Sequence, residues 1–112
     1  MEFDYTTTTT KSFDEAVDSV QEEIAKAGMR VLYVHDVQKS LVEKGFARDS
    51  FKIIEFCNAK YANEFLNADI KIGLCMPCKI NVYIKQFFPN ANLGVMPEEI
   101  DKAIKNIIDS AK

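Results

Sequence analysis

Polar and apolar positions along this chain recur with two different periods, and the switches between them mark out the elements. Cys78, Ile80, Val82 and Ile84 alternate with Lys79, Asn81, Tyr83 and Lys85, which predicts a strand with one apolar and one amphipathic face. A strand buried on both faces reads as a continuous apolar run, so this one belongs to a sheet covered on a single side. Cys78 falls in the inward set. A period of 3.6 takes over where Phe13, Ala16, Val17, Val20, Ile24 and Ala27 share a face. Ser12 and Glu15 form a capping box before that helix, and Gly28 stands where a C-terminal cap belongs. Near the far end, Pro97, Glu98 and Glu99 open a second long helix whose buried face is Ile100, Ala103, Ile104, Ile107, Ile108 and Ala111.

Shorter elements fill the rest. Residues 3–8 predict a first strand and residues 30–35 a second. Asp36 caps a short helix with Val37 and Leu41 inward, ended by Gly45. Residues 51–57 predict a third strand, with Phe51 and Ile53 on one face and Ile54 between them. Asn58 caps another short helix striped by Ala59, Ala62, Phe65 and Leu66. Pro89 and Asn90 read as a loop after Phe87 and Phe88, and residues 92–96 as a short last strand. Two long amphipathic helices each need an apolar surface, and one sheet face supplies both. The expectation is an α+β fold in a single domain over residues 1–112. Its sheet is largely antiparallel, with the long helices on one face and two short helices inserted. The other face is left open to a partner.

Composition narrows the function classes. A chain of 112 residues, 47% hydrophobic and 28% charged, is an ordinary soluble globule able to bury its own core. The net charge of -3 and the scattered Lys and Arg argue against a nucleic-acid footprint. No apolar run approaches a membrane span, so no membrane partner is expected. Met1, Glu2, Phe3 and Asp4 lack the basic and apolar regions of a signal peptide, which points to the cytoplasm and reduced thiols.

Several short motifs, taken in order and spacing, resemble the domain of unknown function 302 (DUF302) family. They are Ser12-Phe13-Asp14-Glu15 at the helix start, Asp36 after the second strand, Phe56-Cys57-Asn58 closing the third, and Leu74 through Val82 with Pro77-Cys78. Where the family pattern usually has Pro after Cys-Asn, Ala59 stands here. The resemblance runs from Phe3 to about Pro97. It implies a β-α-β4-α core similar to the TATA-box-binding-protein arrangement, and a homodimer. It implies no settled activity.

The candidate chemistry lies in three cysteines. Cys75-Met76-Pro77-Cys78 is a C-x-x-C, but it runs into a strand, whereas a thioredoxin-type pair needs a helix N-terminus. A soft-metal site would draw on Cys57, Cys75, Cys78 and the single His35, although structural zinc sites usually show two paired half-sites. A sulfur carrier or redox sensor would use an accessible thiol. Cys57, beside the cap Asn58, sits where a thiolate is stabilised, and Cys75 lies outside the alternating strand. The competing reading is that all three are structural, because thiols pack as small hydrophobes. Asp36 and Asn58 are helix caps first and site residues second. No phosphate loop and no nucleophile triad is present. The reading reached from sequence is therefore a binding or interaction module rather than an enzyme, with no cofactor expected. A small ligand or a protein partner would occupy a cleft near Cys57 and Cys78 or the open sheet face, and the alternative is thiol chemistry at Cys57, Cys75 and Cys78.

Overall fold

The computed structural model describes residues 5–89 and 98–112, without the side chains of Leu74 and Cys75. The elements are β1 (Thr7–Thr8), α1 (Phe13–Lys26), β2 (Arg30–Asp36), α2 (Val37–Val42), β3 (Phe51–Cys57), α3 (Ala59–Ala68), a 3-10 helix (Ile70–Cys75), β4 (Cys78–Tyr83), β5 (Gln86–Pro89) and α4 (Glu98–Ala111). The strands form one antiparallel sheet in the order β1-β5-β4-β3-β2. This is the expected α+β architecture. The strand expected over residues 92–96, the start of the first strand and Pro97 lie outside the described residues.

Local chemistry starts and stops these elements as the pattern predicts. Ser12 Oγ accepts from the Glu15 N–H at 3.2 Å and donates to Glu15 Oε1 at 3.0 Å. Gly28 takes the left-handed conformation, φ 77°, that ends α1. Acidic Glu98, Glu99 and Asp101 occupy the first turn of α4, where the helix dipole favours them. Ala16, Val17, Val20 and Ile24 from α1 and Ile100, Ile104, Ile107, Ile108 and Ala111 from α4 are buried in one core. Ile54, Phe56, Ile80, Val82 and Phe87 meet them from the sheet, each fully buried. Burying one such side chain contributes roughly 1.5–3 kcal/mol. Both long helices therefore cover the same face.

Several positions differ from the pattern for local reasons. Ala27 is exposed, because the helix has reached its cap there. Ile84 leaves the inward set: β4 ends at Tyr83, and Ile84 and Lys85 form a two-residue turn that pairs Tyr83 with Gln86. Ile84 is 41% exposed with φ 52°, a value that β-branched residues rarely adopt. Neither turn residue is Gly or Asn, so no turn signal separated β4 from β5, and Phe87 and Phe88 belong to a strand rather than to a loop approach. The register of β2 against β3 shifts between Val31 and Tyr33, which leaves Leu32 as the extra residue of a bulge. Val31 and Val34 thus both pack on the core, while Tyr33 and His35 are exposed. The shared parity of His35 with Val31 is broken by that bulge. None of the helices among the described residues is long and apolar enough to cross a membrane.

Candidate functional site

Strand register decides which candidate residues meet. Arg30 pairs with Cys57 and Phe56 pairs with Cys78, so the start of β2, the end of β3 and the start of β4 share one end of the sheet. Asn58 follows Cys57 there and turns the chain into α3. Its Oδ1 accepts from the Lys60 N–H at 3.0 Å and from the Tyr61 N–H at 3.3 Å. A second cap follows: Asp69 Oδ1 accepts from the Lys71 N–H at 2.9 Å and starts the 3-10 helix. Two capped helices in succession hold a wall against the sheet end.

Between that wall and the sheet lies a small cleft of about 40 Å³. The strand ends contribute Met29, Cys57 and Cys78; α3 contributes Tyr61, Ala62 and Phe65; the 3-10 helix and its exit contribute Ile72 and Met76; α4 contributes Ile100. Asn58 completes the lining, with its acceptor already engaged by two backbone donors. The Tyr61 and Phe65 rings stack at 6.1 Å along the α3 side. Among the described residues that line the cleft none is charged, and most are apolar or aromatic.

Cys57 and Cys78 are both half-buried thiols lining this cleft. They start from opposite faces of the sheet, and both border the cleft at the strand ends. The side chain of Cys75 lies outside the described ones. Asp36 stands at the other end of β2, in register with Lys52, five residues along β3 from Cys57 and so roughly 17 Å away. There Asp36 Oδ1 accepts from the Lys39 N–H at 3.0 Å and caps α2. His35 pairs with Ile53 and its Nε2 lies 2.7 Å from Glu55 Oε1 on the open face. It therefore joins neither Asp36 nor the cysteines. Among the described residues no three His, Cys, Asp or Glu gather closely enough to hold a metal ion. Sequence reasoning missed Tyr61 and Ile72 in the lining, and Met29 and Met76 as well. For the two methionines the available signal was position, each just outside a strand end that register brings level with Asn58.

The second region of interest is the open face. Tyr33, His35, Phe51, Ile53, Glu55, Lys79, Asn81, Tyr83 and Phe88 occupy its alternating positions. Phe51 packs against Tyr83 at 5.6 Å and Phe88 at 6.3 Å, and Tyr33 lies 4.6 Å from His35. Glu55 and Lys79 stand opposite each other across β3 and β4.

Comparison with known proteins agrees with this architecture. The family model for the domain of unknown function DUF302 matches residues 5–111. The crystal structure of an uncharacterised conserved DUF302 protein from Bacillus stearothermophilus is similar over 100% of both chains, with a TM-score of 0.90 and 24% identity. No curated protein matches the sequence significantly. The chain belongs to the DUF302 family.

Proposed function

We propose that this member of the DUF302 family is a small cytoplasmic, single-domain binding module that holds a ligand in the cleft beside Cys57 and Cys78 and works as a homodimer. The observation that carries the reading is the cleft itself: a pocket, opening to solvent, whose described lining carries no charge and whose Asn58 acceptor is already committed. Convergence of apolar and aromatic walls with few polar groups is the common character of small-ligand sites. The dimer is supported by the open sheet face. That face is rich in aromatic side chains and carries both charge signs, the character of a patch that can face its own copy.

The test is to fill the cleft. Ala62 is half-buried in α3 and lines it, so Ala62→Phe adds a ring into open space rather than into the helix-covered core. Titration with an environment-sensitive apolar dye should show binding to the wild-type chain and loss of it in Ala62→Phe, with the thermal midpoint kept. Equal dye binding by both would remove the cleft from the account. A second reading, thiol chemistry as a sulfur carrier or redox sensor, draws on one observation: two of the three candidate cysteines share this cleft.

A further inference from the structure

The cleft is narrow, and only half of the Asn58 amide that lines it is used. A water needs roughly 10–15 Å³ of such space, so the 40 Å³ here takes about three water-sized groups. A cavity that takes a benzene ring measures about 150 Å³, so no ring enters this one whole. Met29 and Met76 line it with flexible thioethers, and Tyr61 and Phe65 with stacked rings. Asn58 Oδ1 accepts from the Lys60 and Tyr61 N–H groups, which sets the orientation of the amide. Its Nδ2 keeps its hydrogens to give, for among the described residues it donates to none. No buried side-chain nitrogen or oxygen of the described residues lacks a partner, so this donor is open to solvent.

We propose that the cleft takes the end of a short, unbranched aliphatic chain bearing a neutral carbonyl, whose oxygen accepts from Asn58 Nδ2. The proposal rests on the cleft being a ligand site and names the class of ligand. Size selects the chain: about three carbons fill the space, and the rest of a longer ligand stays outside. Against apolar walls each buried methylene tightens binding by roughly fourfold. The donor selects the oxygen. An amide N–H beside an apolar wall is satisfied by a carbonyl, which brings no donor of its own to be placed. Charge selects against a carboxylate. None of the described lining residues is a cation, and desolvating an ion there costs far more than desolvating a ketone. Binding is reversible, and no bond forms at either cysteine.

The experiment is a methyl NMR titration of the full chain, labelled at its methionine methyl groups, with acetone, methyl ethyl, methyl propyl and methyl pentyl ketone. The Met29 and Met76 signals, assigned with Met29→Leu and Met76→Leu, should shift to saturation. Affinity should rise roughly fourfold per methylene up to methyl propyl ketone and then level off as the chain leaves the cleft. Butyrate, with a charged oxygen in place of the ketone methyl, should bind at least about tenfold more weakly. Asn58→Asp keeps a capping oxygen and removes the donor, so the ketone should lose about five- to tenfold while the thermal midpoint holds. The wild-type series decides the matter even where that variant fails to fold. No saturable shift overturns the proposal, as does butyrate binding as well as methyl propyl ketone. So does an affinity that climbs undiminished to methyl pentyl ketone, or ketone binding unchanged in a folded Asn58→Asp. Dye binding that Ala62→Phe abolishes, without any ketone binding, would sink the ligand class and leave the cleft standing. Absence of both would remove the two readings together.

Discussion

The two faces of the sheet are built from the same strands in alternation, yet they differ in almost every physical respect. On the helix side, Ile54, Phe56, Ile80, Val82 and Phe87 are fully buried and meet only apolar partners. On the other side, Tyr33 is 60% exposed, aromatic rings are half-covered by one another, and His35 and Glu55 form an exposed pair. The first face resembles a protein interior and the second resembles an interface without its partner. What separates them is the covering layer: α1 and α4 both lie on one side. The cleft sits where the faces run out, at the strand ends, and takes residues from each.

The largest expected effect sets the faces directly against each other. Phe56→Ala removes a fully buried ring beneath the helices and should cost about 3–5 kcal/mol in urea unfolding, as large-to-small core changes do. Phe51→Ala, on the same strand one face over, removes half-buried contacts to Tyr83 and Phe88 and should cost nearer 1 kcal/mol. The smaller change should move the monomer–dimer equilibrium instead, read by sedimentation or native mass spectrometry. Equal losses of stability would mean that both faces serve the fold alike, and the open face would lose its claim to a partner.

This contrast was legible in the sequence because a period of two is written along β4, and the long helices were legible from the stripes of α1 and α4. The cap residues were legible too: Ser12, Asp36 and Asn58 each accept the backbone donors expected of them. The turn at Ile84 was not, since a β-branched residue at positive φ gives no local signal and is held by its neighbours, with its N–H donated to the Ser50 carbonyl at 3.0 Å. Nor was the bulge at Leu32, because one extra residue in a strand leaves no mark on an apolar pattern. The cleft was half legible. Cys57, Cys78 and Asn58 were singled out, whereas Met29 and Met76 were not. Their convergence depends on register, a long-range property that no single stretch carries. Asp36 shared the features of Asn58 locally and ended at the other end of the sheet.

The two Asx caps give the next comparison, with a smaller effect. Asp36 and Asn58 each close a strand and start a short helix, and replacing either by Ala should cost about 1 kcal/mol. They should part on binding. Asn58→Ala loosens the wall that carries Tyr61, Ala62 and Phe65 and should weaken dye binding, while Asp36→Ala should leave it unchanged. Measured side by side, equal binding by the two variants would show that α3 does not shape the cleft.

The smallest expected effect concerns the rim that fastens the helix layer. Lys11 Nζ donates to the Ala111 carbonyl at 2.8 Å and to Ser19 Oγ at 2.9 Å, tying the chain before α1 to the end of α4. Nearby, the Tyr5 hydroxyl donates to both carboxylate oxygens of Asp109, at 2.8 and 2.9 Å. That hydrogen bond, with desolvation and the carboxylate charge behind it, raises the Tyr5 phenol above its ordinary value, and Lys105 over the ring opposes the shift. A folded-state pKa above the unfolded one means that the native chain holds this proton where the unfolded chain has lost it, so stability falls as pH rises through that window. The contribution is complete below the ordinary phenol range near pH 10 and disappears above the raised value. Other tyrosines and lysines titrate in the same region, so the informative quantity is the difference between the wild type and Tyr5→Phe, measured by urea unfolding from about pH 8 to 12. The wild-type advantage should hold at the lower end and shrink as the phenol ionises. An advantage that grew with pH would reverse the sign of the linkage and take Asp109 out of the rim.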